Sequence, residues 1–391
     1  MTTEFDKNLN ISYYDENLPK PNNLLILKHF YCSVLLYLFI YFFLAHNPFF
    51  KNFFIKELQI IYQIGLYIYF VTAPIIYLIF KPKSIYKSHS IEIFNYIGKV
   101  IKNIFCKKKE KFPTYKDIIE SFTPTYDEKQ ALMLIFIKVF FGTLMSKFLC
   151  DNYFTIIHNL DFCNKIFENV NTQSLIPVIL KYKEFFYRFC ITILFTIDIL
   201  MFAIGYLTET VFLKNKIRTV DTNIVGVLVC LICYPPFNYI SSCFLGWNQN
   251  DNVYARWDET GAITWTLRLI GIFFLIIYTL ASCALGTKAS NLTNRGTVTR
   301  FPYSIVRHPA YISKNLFWLC TTIPLLIVDF KSPNFEIFEY LIWAGLVLCS
   351  YIFWLGIYYF RAIYEERHLM QDPDYQEYTQ KVKYRFIPFV V

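Results

Sequence analysis

Long apolar segments dominate this sequence and restrict the folds open to it. Of its 391 residues, 55% are hydrophobic and only 17% are charged. A helix needs roughly 20 apolar residues to cross a bilayer, and it satisfies its backbone hydrogen bonds internally. The sequence therefore predicts an all-α fold, a polytopic transmembrane helix bundle of about eight spans. The predicted spans are Leu24–Ala45, Leu58–Phe80, Ala131–Cys150, Phe185–Leu213, Ile224–Phe244, Ile263–Leu285, Leu316–Val328 and Phe338–Phe360.

The formal net charge of +9 comes mainly from segments between these spans. By the positive-inside rule such segments are cytoplasmic, so an even number of spans predicts an integral, multi-pass membrane protein with both termini in the cytoplasm. Lysines at 99–116 are expected to bind anionic lipid headgroups, at on the order of 1 kcal/mol each. A nucleic-acid partner is not expected, because one basic run on a membrane anchor lacks a fold that reads bases. The basic residues are Lys99, Lys102, Lys107, Lys108, Lys109, Lys111, Lys116, Lys214, Lys216, Arg218, Lys288, Arg295 and Arg300.

Three regions follow from the distribution of polar residues. Residues 1–23 form a polar N-terminal tail, and residues 24–184 form an N-terminal membrane region with a lysine-rich cytoplasmic loop at 81–129. Residues 185–391 hold the polar groups of chemical interest. The start of the chain does not predict a signal peptide, because the first apolar run begins late and no small-residue cleavage site follows it.

The eleven cysteines lie mostly inside the predicted spans, where they behave as small apolar residues. Cys230 and Cys233 form a C-x-x-C pattern, but it lies in an apolar run without a second pair. The sequence therefore predicts no metal site.

Two polar features fall inside the predicted spans of the third region. Asp198 predicts either a functional carboxylate facing a wet cavity or a structural partner of a lysine or arginine. Pro235 and Pro236 predict a kink in the fifth span, either widening a cavity or serving packing alone.

The segment before the seventh span concentrates groups that bind anions. Pro309 suits the first position of a helix, which leaves Arg307 and His308 directly before it. The free N–H groups and the dipole of this helix add to Arg307 as a seat for an anion. Lys314, one turn into the helix, reinforces the same field.

The eighth span returns to the same side of the bilayer and carries a cluster of charged groups. Its extension holds Arg361, Glu365, Glu366 and His368. Glu365 can pair with Arg361 or with His368 along the helix. Glu365 and Glu366 are about 100° apart, so we expect only one of them to face the hairpin cleft. A ligand that uses both ends of the hairpin is S-adenosylmethionine, whose carboxylate suits arginine and whose ribose and amino groups suit carboxylates.

The same elements carry a resemblance to a known family. The chain resembles the integral-membrane isoprenylcysteine carboxyl methyltransferase and phospholipid methyltransferase family over roughly its last 100 residues, and two further runs resemble a bacterial-type branch. The order and spacing of five elements make it specific. They are Pro302-Tyr303, Arg307-His308-Pro309-Ala-Tyr311, Glu365-Glu366-Arg-His-Leu369, Tyr375-Gln-Glu-Tyr378 and Tyr384-Arg-Phe-Ile-Pro388. The further runs are Ser290-Asn-Leu-Thr-Asn-Arg-Gly296 and Cys233-Tyr-Pro-Pro-Phe-Asn238.

The resemblance implies that 185–391 is a methyltransferase-like membrane domain with its cofactor site at the cytoplasmic end. The implied cofactor is S-adenosylmethionine, and the implied acceptor is a membrane lipid or a prenylated molecule. Arg307, His308 and Glu366 are the implied catalytic residues, the first two orienting the cofactor. The implied cofactor-binding residues are Tyr303, Arg307, His308, Pro309, Tyr311, Glu365, Glu366 and Arg385.

Two positions depart from the family pattern, and two rival functions remain. Phe301 and Ser313 stand where the family often has glycine. One rival is an NADPH-dependent membrane reductase of the sterol type, for which Arg295 and Arg300 are the only basic candidates for a phosphate clamp. The other rival is a non-catalytic scaffold of the same fold.

Overall fold

The computed structural model is helical and describes residues 19–106, 122–168, 175–209, 213–239, 245, 262–326 and 337–389. Within these residues the predicted all-α class is confirmed, since the strands β1 (Thr219–Val220) and β2 (Thr293–Asn294) are two residues each. The α-helices are α1 (Asn23–His46), α2 (Lys56–Phe80), α3 (His89–Cys106), α4 (Tyr126–Phe167), α5 (Leu175–Lys181), α6 (Lys183–Leu207), α7 (Ile224–Leu231), α8 (Ala262–Leu285), α9 (Pro309–Leu326), α10 (Ile337–Leu369) and α11 (Pro373–Lys381).

Six of the described helices are long and apolar enough to cross a membrane: α1, α2, α4, α6, α8 and α10. They correspond to six of the predicted spans. Their outward faces carry large apolar side chains such as Phe39, Tyr67 and Ile79, which are about two-thirds exposed or more. Such surfaces are costly in water and favourable in lipid, as in a membrane protein.

The fifth and seventh predicted spans differ from the sequence prediction. In the fifth, α7 ends at Leu231 and gives way to turns, so the expected kink at Pro235 and Pro236 is instead a helix end. Proline supplies no N–H and disfavours helical geometry in the residue before it, which accounts for this ending. In the seventh, α9 is an 18-residue helix that contains polar residues and is not among the six. The count of eight spans therefore stays a prediction.

The segment predicted as a lysine-rich loop contains the helix α3. Ile93 of this helix packs with Leu36 of α1 and Ala131 of α4. Lys99 donates to the Thr123 carbonyl at 3.0 Å and lies 3.8 Å from Glu128. Lys99 thus has hydrogen-bond and charge partners within the protein, and the binding of lipid headgroups at 99–116 stays a prediction.

Several predictions lie outside the described residues. They concern residues 1–18 of the tail, the lysine run at 107–116, the end of the fourth span at 210–212 and of the fifth at 240–244, and the end of the seventh span at 327–328.

The chain divides into two compact units. One comprises the described residues up to Lys147 together with Arg218–Thr222, and in it α1 packs against α2 and α3. The other comprises Phe148–Ile217 and Asn223–Val391, and in it α8 packs along α6 and α9 while α10 packs against α7 and α9. Leu275, Tyr278 and Phe317 form one buried core of this second unit, which holds all the predicted site residues.

Candidate functional site

The start of α9 is fixed by its own sequence and by the segment after α11. The helix begins at Pro309, as predicted. The two residues before it bind the closing segment through their backbones: Arg307 N–H donates to the Tyr384 carbonyl at 3.0 Å, and His308 N–H donates to the Arg385 carbonyl at 2.9 Å. These bonds hold the Arg307 and His308 side chains beside the end of α10.

Glu366 is the centre of a buried ion-pair cluster. Its side chain is 8% exposed; its Oε1 lies 3.1 Å from Arg307 Nε and 3.0 Å from His308 Nε2, and its Oε2 accepts from Arg385 Nη2 at 2.7 Å. The hydrogen bond from Arg385 to Glu366 raises the pKa of that guanidinium. We call Arg307, His308, Glu366 and Arg385 the Glu366 cluster.

Glu365 has a different environment, although it is the next residue. Its side chain is 40% exposed, and its Oε2 accepts a hydrogen bond from the Tyr311 hydroxyl and lies 3.9 Å from His308 Nδ1. The His308 ring stacks on Tyr311, with centroids 5.1 Å apart. Both glutamates thus contact residues at the start of α9, while only Glu365 lines the cavity described next.

A cavity of about 130 Å³ opens between α8, α9, α10 and the loop 286–298. This volume is well above the minimum of about 10–15 Å³ that one water requires, so the cavity can hold several waters or a bound ligand group. Five predicted site residues line it: Tyr303, Arg307, His308, Tyr311 and Glu365. The other three, Pro309, Glu366 and Arg385, lie outside the lining.

Tyr303 belongs to a hydroxyl-rich wall at the outer end of the cavity. The Tyr378 hydroxyl donates to the Tyr303 carbonyl at 2.7 Å, and both residues line the cavity with Tyr375. Burial raises the pKa of the Tyr303 and Tyr378 hydroxyls, so both stay neutral donors. The motif Tyr375-Gln-Glu-Tyr378 thus supplies packing and hydrogen bonds to this wall.

Asp198 lies at the inner end, within hydrogen-bond reach of two side chains of α8. It accepts from the Tyr278 hydroxyl at 2.7 Å and from the Ser282 hydroxyl. Lys314 interacts favourably with its charge, and the Lys314 ammonium lies 5.1 Å from the Tyr278 ring centroid. Lys314, Tyr278 and Ser282 line the cavity, so Asp198 is a neighbour of its wall.

Arg361 also lines the cavity, without pairing with Glu365. Its Nη2 donates to Asn291 Oδ1 at 2.5 Å, and its guanidinium lies 5.0 Å from the Tyr311 ring. Asn291 Nδ2 in turn donates to the Tyr234 hydroxyl at 2.9 Å. The partner of Arg361 is therefore 70 residues away in the sequence, and helix spacing alone did not reveal it.

Two arginines of the loop before α9, whose positions in the sequence predict cytoplasmic loop charges, bind neighbouring segments of the fold. Arg295 is 5% exposed and donates to the Gly205 carbonyl at 2.6 Å and to Ser290 Oγ at 2.8 Å. Arg300 donates to the Ala284 carbonyl at 2.8 Å and so caps the end of α8. Both side chains therefore donate to backbone carbonyl oxygens and stabilise the fold.

Residues 301 and 313 do not touch the cavity. Phe301 is 57% exposed, and the Ser313 hydroxyl donates to the Pro309 carbonyl of its own helix at 2.6 Å. Neither residue has a positive φ, so neither position requires glycine. The two departures from the family pattern therefore leave the cavity lining unchanged.

No protein-family model, curated protein or solved structure matches this chain. The assignment of function consequently depends on the geometry of the cavity and on the motifs around it.

Proposed function

We propose that this protein is an integral-membrane methyltransferase that uses S-adenosylmethionine and acts on a membrane-embedded lipid or prenylated acceptor. The observation that carries the proposal is the cavity beside the Arg307–His308–Pro309 element, which has the unshared oxygen of Glu365 on one side and Arg307 on the other. S-adenosylmethionine needs a carboxylate near its ribose and amino groups and an arginine near its own carboxylate. The residues present fit those needs.

Glu365 is assigned to binding the polar groups of the cofactor. One of its oxygens is held by Tyr311, and its partial exposure leaves acceptor capacity toward the cavity. Carboxylates accept several hydrogen bonds at once, so Glu365 can keep Tyr311 and bind a hydroxyl or amino group. In this proposal Glu365, and not Glu366, accepts the hydrogen bonds from the cofactor.

Arg307 is assigned to the cofactor carboxylate. Its Nε faces Glu366, and within the described residues its terminal nitrogens have no hydrogen-bond partner. The N-terminus of α9, which begins two residues later, adds its dipole to this field. Glu366 orients Arg307 and His308 through its ion pairs, so it is a positioning residue.

The chemistry supplied by the bound cofactor is an activated methyl group. The protein has to hold acceptor and donor in line and to keep water out. A carboxylate acceptor would need no general base, because it has no proton to lose when it is methylated. The aromatic residues Tyr234, Tyr303, Tyr311 and Tyr358 enclose the cavity and exclude water. Tyr234 follows α7, so the turn that ends the fifth predicted span contributes to the wall facing an acceptor from the bilayer.

The reductase alternative gains no support, because Arg295 and Arg300 bind backbone carbonyls and are committed to the fold.

The cytoplasmic location of the site and both termini is part of the proposal. An epitope inserted at the exposed Lys383 should bind antibody only after permeabilisation of cells. Binding to intact cells would reverse the orientation.

The test of the function is calorimetric titration of the detergent-purified protein with S-adenosylhomocysteine. We expect saturable binding, abolished in Arg307→Ala and absent with NADPH. Binding of NADPH with none of S-adenosylhomocysteine would overturn the proposal in favour of a reductase. Binding of neither would favour a scaffold.

A further inference from the structure

The inner end of the cavity carries two cations that the proposed cofactor does not use. Lys314 and Arg361 both line it. Arg307 precedes α9, and Lys314 lies five residues beyond its first residue, Pro309, which is about 7.5 Å along the helix axis. The inner cations are therefore separate from the arginine at the outer end.

Arg361 is buried among neutral side chains. It is 7% exposed; its Nη2 donates to Asn291 Oδ1, and its guanidinium also forms a hydrogen bond with the Tyr234 side chain. Three tyrosine rings surround the guanidinium at 5.0 to 5.7 Å. No carboxylate lies within 4.0 Å of it in the part of the chain that the structure describes. A guanidinium has five N–H donors, so Arg361, which lines the cavity, has donors beyond these two bonds.

Lys314 is in the same situation on the facing helix. Its ammonium makes no hydrogen bond with any described residue, and its nearest aromatic contact is the Tyr278 ring. Asp198 attracts it, but both Asp198 oxygens already accept hydroxyl bonds from Tyr278 and Ser282. Arg361 lies close enough to repel it. Lys314 thus also presents free donors to the cavity.

The charges at this end do not balance. Among the described residues neither Lys314 nor Arg361 has a carboxylate within 4.0 Å. A buried charge without an ion-pair partner is costly. An oxyanion between Lys314 and Arg361 would balance the charge and use the free donors of both residues. We infer that the inner end of the cavity binds the phosphate or carboxylate group of an acidic lipid. That this lipid is the methyl acceptor rests on the proposed function; the binding itself does not.

Anchorage by an oxyanion would explain why polar residues lie this deep between apolar helices. α10, which carries Arg361, is among the helices apolar enough to cross a membrane. A lipid headgroup can reach such a site from the bilayer with its tails left in lipid, whereas a free anion would have to cross the cavity from the outer end.

The test is calorimetric titration of the purified full chain with dihexanoyl phosphatidic acid, with dihexanoyl glycerol as the neutral probe and inorganic phosphate as the free anion. We expect the acidic lipid to bind at least tenfold tighter than the neutral one, and phosphate to compete weakly. Lys314→Met should weaken the acidic lipid roughly 10- to 100-fold, because a charge-assisted hydrogen bond is lost. Lys314→Arg should retain binding. Lys381→Met, at an exposed lysine paired with Glu377, is the matched control and should change nothing.

Equal affinity for the acidic and neutral lipids would overturn the inference, as would an unchanged affinity in Lys314→Met. If phosphate binds as tightly as the lipid, the site takes a free oxyanion and the lipid assignment is wrong. Should Lys314→Met fail to fold, Lys314→Arg and the probe comparison on the unmodified protein still decide. Binding of S-adenosylhomocysteine, measured on the same samples, reports separately on the proposed function. Its absence alongside retained acidic-lipid binding would refute the function and leave this inference standing.

Discussion

The Glu366 cluster and the cavity lining are built from the same kinds of residue and differ in how completely their charges are paired. In the cluster, both oxygens of Glu366 are occupied by Arg307, His308 and Arg385. In the cavity, Glu365, Lys314 and Arg361 retain capacity for further hydrogen bonds. Buried charges that are fully paired with one another stabilise the structure. Charged groups around a cavity that keep free hydrogen-bonding capacity can instead bind a ligand. A motif of paired glutamates therefore does not give both members the same task.

The largest expected effect comes from removing the negative charge at the centre of the Glu366 cluster. Glu366→Gln would leave the Arg307 and Arg385 guanidinium groups beside a neutral amide. We expect a loss of about 3–5 kcal/mol in the free energy of unfolding, because one partner of a buried ion pair is removed. Denaturation of the purified protein in detergent measures it. Glu365→Gln is the matched control one residue away and should lose less than about 1 kcal/mol. Equal losses in the two variants would break the comparison.

Gly205, an uncharged residue of α6, separates the effect of packing from that of charge pairing. A Cβ at Gly205 would lie 1.9 Å from the carbonyl oxygen of Ala289, in the loop whose Arg295 donates to the Gly205 carbonyl. We expect Gly205→Ala to lower the free energy of unfolding by about 1–3 kcal/mol or more, because the backbone has to move.

Gly356→Ala is the control for Gly205→Ala, since a Cβ there meets nothing within 4 Å. It lies within α10 and should stabilise by about 0.5–1 kcal/mol. A neutral Gly205→Ala would contradict the tight packing of the loop against α6.

Substitution of a charged residue in the cavity lining should weaken ligand binding with little change in the free energy of unfolding. Glu365→Gln should weaken S-adenosylhomocysteine roughly 10- to 100-fold, because hydrogen bonds to a charged acceptor are lost. Calorimetry gives the affinity, and the unfolding measurement above gives the stability. Unchanged affinity in Glu365→Gln would show that Glu365 does not bind the cofactor.

The smallest effects are expected at the two positions that depart from the family pattern. Phe301→Ala and Ser313→Ala should each change the binding free energy of S-adenosylhomocysteine by less than about 0.5 kcal/mol, since neither side chain lines the cavity. Titration of both variants beside Glu365→Gln provides the comparison. A large loss at either position would mean that the cavity extends beyond its described lining.

The sequence predicted the local parts of this site well. The start of α9 at Pro309 follows from the preference of proline for the first helical turn. The approach of Arg307 and His308 to the end of α10 follows from the predicted hairpin, because a helical hairpin brings the start of its first helix beside the end of its second.

The long-range parts could not be read from local patterns. Asn291 reaches Arg361 across 70 residues, and Tyr278 reaches Asp198 across 80. Such pairs depend on the rotation of each helix in the packed unit, which spacing does not specify. One signal was available: Tyr278 and Ser282 lie one turn apart on α8, so two hydroxyls share a face of an apolar helix. The same limitation applies to α7, whose end at Leu231 is decided by prolines four residues further on.

The central claim is most directly tested by transfer of a labelled methyl group. Membranes containing the protein are incubated with S-adenosylmethionine carrying a radioactive methyl group, and the lipid extract is counted beside membranes containing Glu365→Gln. We predict label in the organic phase that depends on the protein and falls at least tenfold in the variant. Equal label in both, or none above membranes without the protein while S-adenosylhomocysteine still binds, would contradict the account.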